Sequence, residues 1–86
     1  MKYAITIEHS AQEPHIMAFP TDFARDKHIE RHGGFTISHR EARRILEAQV
    51  RLAIRHGSLG YRMEPYEVRA LTMDELYMAY RRAFFY

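Results

Sequence analysis

The chain has 86 residues, 47% of them hydrophobic and 28% charged, a balance that suits one compact domain spanning residues 1–86 and argues against disorder. It contains no cysteine, which excludes disulfides, thiol catalysis and cysteine-ligated zinc or iron–sulfur centres. The net charge of +2 is unevenly spread: residues 39–63 carry six arginines against Glu41 and Glu47, and 11 of the 13 basic residues in the chain are arginine.

The chain opens with Tyr3, Ile5 and Ile7 alternating with Ala4 and Thr6, the period of a half-buried strand. It is too short and polar for a signal peptide, and no apolar run approaches the ~20 residues of a membrane span. A cytoplasmic protein is expected. Ser10 to Pro14 reads as a turn and His15–Phe19 as a second strand, together an antiparallel hairpin. Pro20 ends it. Thr21 or Asp22 then caps a helix that runs to about His32, where Gly33 supplies a terminating glycine.

Phe35-Thr36-Ile37 is a short extended piece, a candidate third strand. Ser38 and Glu41 form a capping box, from which a long helix runs over 39–56 to Gly57. The stretch from Tyr61 to Leu71 is rich in Tyr, Val and Met but interrupted by Pro65, and reads as a bulged or edge strand, or two short ones. Thr72 and Glu75 make another capping box that opens the final helix. The expected fold is α+β: a small antiparallel sheet, the N-terminal hairpin plus one or two further strands, packed against three helices in the order β-β-α-(β)-α-β-α.

His28 and His32 lie four residues apart on the first helix, the spacing of two metal ligands on one face. A third ligand at a recognisable spacing is missing, and Ile29 stands where a metalloprotease motif needs glutamate. Histidines in a last helical turn also complement the negative end of the helix dipole. The pair is therefore read as a helix end, with metal binding the lesser alternative and no cofactor expected.

On the long helix, 100° per residue places Ala42, Ile45, Leu46, Gln49, Val50, Leu52 and Ala53 on one broad face. Arg40, Arg44, Arg51 and Arg55 cluster on the opposite side. Such a stripe suits a phosphate backbone or an acidic protein surface; Glu47, four residues from both Arg43 and Arg51, also offers ordinary ion pairs. On the last helix Met73, Leu76, Tyr77, Tyr80, Ala83 and Phe84 form the expected core face. Arg81, Arg82, Phe85 and Tyr86, of residue types enriched at interfaces, are candidates for a partner or homodimer contact, with Met78 also off the core face.

Helix, glycine turn and helix between Ala24 and Leu46 have the outline of a helix-turn-helix, but the extended 35–37 piece and the long second helix do not fit that motif. The segment TISHREARRIL resembles the opening helix of excisionase-like winged domains, and departs from them where the helix continues through EAQVRLAIRHG. Enzyme signatures such as a phosphate-binding glycine loop or a nucleophile elbow are missing from the sequence. The hairpin start and the helix opening AFPTDFARDKHI resemble in format the small orphan proteins of bacteriophages and mobile elements, anti-CRISPR proteins being one group. That resemblance implies binding and blocking of a host protein or nucleoprotein complex that handles nucleic acid. A direct DNA- or RNA-binding regulator, and a small histidine-dependent enzyme or metal-binding protein, are the alternatives.

Overall fold

The computed structural model describes residues 1–6, 14–60 and 62–85, the last of these without its side chain. The fold is α+β, with β1 (Lys2–Thr6), β2 (His15–Phe19), α1 (Asp22–His32), β3 (Gly34–Ile37), α2 (His39–Arg55), α3 (Pro65–Ala70) and α4 (Met73–Phe85) in chain order. The chain divides into two compact units, Met1–Ala42 and Arg43–Tyr86.

In the first unit a three-stranded antiparallel sheet has the order β2-β1-β3. Register pairs Tyr3 with Ala18 and Ile37, and Ile5 with Ile16 and Phe35, so these side chains share one face. Ala4 and Thr6 share the other with Met17, His15 and Thr36. Tyr3, Ala4, Thr6, Ile16 and Phe19 are all buried, so the central strand is covered on both faces. Helix α1 covers the Thr6 face. The Phe19 and His28 rings meet there at 5.3 Å, and the Thr6 hydroxyl donates to the Gly33 carbonyl at 2.6 Å. Tyr3, on the opposite face, meets His39 edge-on at 5.7 Å.

Local signals account for these boundaries. The Thr21 hydroxyl accepts from the Ala24 N–H at 3.1 Å and starts α1; Gly33, at φ 84°, ends it with its N–H on the Ile29 carbonyl at 2.7 Å. The next residue turns straight into β3. Gly34 has φ 119°, and a Cβ there would meet the Ile5 carbonyl oxygen and sit 2.9 Å from Thr6 Cα. Ile7, expected in the first strand, and most of the expected turn at 10–14 lie outside the described residues.

The buried side chains of the second unit are Leu46, Val50 and Ala53 of α2, Leu59, Val68 of α3, and Leu76, Ala79 and Tyr80 of α4. Ser38 Oγ accepts from the Glu41 N–H at 3.0 Å at the start of α2. Thr72 and Glu75 form the full reciprocal box at α4, with bonds of 2.8 and 3.1 Å. The Thr72 N–H on its carboxylate, and after it the Thr72 hydroxyl, hold the Glu75 carboxyl below its ordinary range.

The expected strand within 61–71 is corrected. Its second half is helix α3, so the described chain has four helices, and one strand beyond the hairpin. Pro65, taken as the breaker of a strand, stands at the first helical turn, where a missing N–H costs nothing. Glu64 before it is extended at φ −78°, ψ 155°, and the Glu67 carboxylate reaches back to the Glu64 N–H at 3.4 Å. Two core assignments also shift: Leu52 is 41% exposed and Phe84 is 44% exposed.

Two stability effects follow. Gly34→Ala should cost more than about 2 kcal/mol, because strain at positive φ adds to the clash with β1. Thermal unfolding followed by circular dichroism should then show a midpoint lower by roughly 10 °C, whereas Gly33→Ala, with open space around its Cα, should lose less. The depressed carboxyl of Glu75 stabilises the fold above its unfolded pKa, and that contribution is lost as pH falls through the folded value. Glu75→Gln should therefore flatten the stability-against-pH curve on its acid side, as read from urea midpoints between pH 3 and 6.

Candidate interaction surface

The arginines of α2 separate into two groups. Arg43 points to the junction of α3 and α4, where one terminal nitrogen donates to the Arg69 and Leu71 carbonyls, each at 2.8 Å. Its Nε lies 3.5 Å from Glu47, and the other oxygen of that carboxylate lies 3.7 Å from Arg51. The Arg43–Glu47–Arg51 seam is half-buried, and Glu47 keeps only 17% of its side chain in contact with solvent. Arg51 Nε is shielded from water and has no hydrogen-bond partner among the described residues. Arg51 therefore does not belong to a free stripe with Arg40, Arg44 and Arg55, as its helical angle suggests. The buried side of α2 is centred on Ala42, Leu46, Val50 and Ala53, rotated toward the seam and away from Leu52.

Arg40, Arg44 and Arg55 are exposed and make no ion pair or hydrogen bond with other described residues. Arg44 and Arg55 are eleven residues apart, about 16 Å along the helix. Past Arg55 the chain turns through Gly57 and Gly60, both at positive φ. An open depression forms here, lined by Ile54, Arg55, Arg62, Met63 and Glu64 with the backbone of the two glycines. Arg62 is also exposed. Assigning 61–71 to a strand hid this residue, since only the actual path of the loop brings it to the same depression as Arg55.

The C-terminal candidates fare differently. Arg82 is exposed; Arg81 is half-buried and already engaged within the molecule. The side chain of Phe85 and all of Tyr86 lie outside the described residues. Met78 is 71% exposed, one helical turn before Arg82. Phe84 packs on Tyr80 with ring centroids 5.3 Å apart.

The His28 and His32 rings are tilted to one another with centroids 4.6 Å apart, and His28 also lies against Phe19. His28 Nε2 is buried with no hydrogen-bond partner among the described residues. His28 is thus part of the packing of α1 on β2, while His32 is exposed beside it. Among the described residues no group of three histidine or carboxylate side chains is placed to hold a metal ion. No described helix is long and apolar enough to cross a membrane.

Comparison of the chain with protein-family models, with curated proteins and with solved structures found no match. Its function has to be argued from its own surface.

The division of labour among the arginines is open to measurement. Arg43→Lys keeps the charge but cannot span two carbonyls and a carboxylate with one planar fork. It should cost about 2 kcal/mol in urea unfolding, while Arg44→Lys should stay within about 0.5 kcal/mol of the parent.

Proposed function

We propose that this protein is a non-enzymatic binding module of the cytoplasm that docks on the acidic surface of a larger complex and blocks or modulates it. The partner is a host assembly that handles nucleic acid, as for inhibitors carried by bacteriophages and mobile elements. The observation that carries this reading is the exposed set Arg40, Arg44 and Arg55, unpaired among the described residues although Glu47 sits on the same helix. Glu47 is spent on the structural seam, and so leaves those charges to a partner. Guanidinium groups are weakly hydrated and bind carboxylates through two parallel hydrogen bonds, which suits them to an interface.

A second reading is supported by the same groups. A basic surface built from arginine matches phosphate as well as carboxylate, so direct binding of DNA or RNA follows if the partner is the nucleic acid itself.

The triple variant Arg40→Glu, Arg44→Glu, Arg55→Glu should remain folded by circular dichroism and lose capture of the partner complex from nuclease-treated host lysate. Undiminished capture by the triple variant would falsify the assignment. Capture abolished by nuclease, with affinity for a duplex falling by about 0.9 log units per phosphate contact for each tenfold rise in salt, would establish direct nucleic-acid binding instead.

A further inference from the structure

The depression beyond the C-terminal end of α2 has a chemistry that narrows the partner. Its walls combine two exposed guanidinium groups, Arg55 and Arg62, with the apolar side chains of Ile54 and Met63 and the carboxylate of Glu64. Three amides of the turn that shapes it are hydrogen-bonded within the chain. The Gly57 N–H donates to the Ile54 carbonyl at 3.1 Å, Ser58 to Ala53 at 2.9 Å, and Gly60 to Gly57 at 3.3 Å.

Two consequences follow from these bonds. They brace the turn at 57–60, which lowers the ordering cost of binding. They also occupy the amides of Gly57, Ser58 and Gly60, so those three groups are not free to cradle phosphate. Glu64 in the wall disfavours a ligand of uniform negative charge such as a phosphodiester chain, so any acidic groups must lie on the Arg55 and Arg62 side. Gly57 and Gly60 have open space where a Cβ would stand, which lets a partner's backbone approach. Methionine beside arginine is an adaptable apolar contact of the kind found at protein interfaces.

We infer that this depression seats an acidic segment of a protein partner, one apolar side chain of that segment entering between Ile54 and Met63 while flanking carboxylates meet Arg55 and Arg62. The inference rests on the binding reading above and deepens it: the ligand is an acidic peptide with an apolar anchor, and the site extends from α2 into the loop and the start of α3.

The test is a titration of the full-length, 15N-labelled protein, followed by amide chemical shifts. The probe is a short peptide of aspartates flanking a single leucine. Shifts are expected at Ile54, Gly57, Gly60 and Met63, with affinity at least tenfold weaker for Met63→Ser, for Arg62→Ser, and for the peptide whose leucine is replaced by serine. Absence of shifts at those amides overturns the inference. So does an oligothymidylate that produces the same shifts at equal or higher affinity and is indifferent to Met63→Ser, since that would mark a phosphate site. Arg40→Glu with Arg44→Glu separates the two levels. If that pair abolishes capture of the complex while Arg62→Ser and Met63→Ser leave it intact, the arginine face stands and the depression falls.

Discussion

The placement of one guanidinium organises the second unit. Arg43 leaves α2 to cap carbonyls of Arg69 and Leu71, groups that α3 itself leaves without internal partners as it ends. With its Nε on Glu47, and Glu47 in turn beside Arg51, a row of three charged residues on α2 is committed to the fold. Charged groups this close to the interior have to be paired, because removing them from water without a partner costs several kcal/mol. The row flanks the buried face of Leu46, Val50 and Ala53 and with it fixes which way α2 faces. Leu52 is turned outward, and Arg44 and Arg55 are left in solvent. The basic surface is what remains after the structural requirement is met.

A comparable constraint acts in the first unit. Helix α1 carries no fully buried residue, so it cannot hold its place by a large apolar face. Specific contacts fix it instead: the Thr6 hydroxyl on the Gly33 carbonyl, Phe19 against His28, and half-buried Arg25 bridging to Asp22 at 3.0 Å. The two glycines after α1 let the chain reverse directly into β3 at a distance from β1 that no side chain would allow. The histidine pair belongs to this junction. The spacing that suggests a metal site on a bare helix also sets one imidazole beside the other, with His28 against a phenylalanine.

His28 and Phe19 are drawn into the packing of α1 on the sheet, while the arginines of α2 are divided between internal bridges and open solvent. Beyond α2, cationic, anionic and apolar side chains meet around a turn braced by the Gly57, Ser58 and Gly60 amides. Such a mixture suits recognition of another protein segment better than tracking of a uniform polyanion, which favours groups of a single sign.

Much of the architecture was legible in the order of residues, because local hydrogen bonding decides it. Thr21, Ser38 and the Thr72–Glu75 box start helices through side-chain oxygens within three residues of the amides they satisfy, and Gly33 ends one by its φ. Alternation in Tyr3–Ile5 and the short run at 35–37 likewise mark strands. The Pro65 segment was not legible as helix: a proline surrounded by tyrosine, valine and methionine satisfies an edge strand as well as a first helical turn, and only the chain that surrounds it decides between them. Nor does helical angle alone separate Arg51 from Arg44 and Arg55, or bring Arg62 to the depression beside Arg55. The sequence by itself determined where α1, α2 and α4 begin and that basic charge gathers along α2. Only the tertiary structure decided which of those charges are spent within the fold and which face outward, since pairing and burial depend on residues brought together from distant positions in the chain.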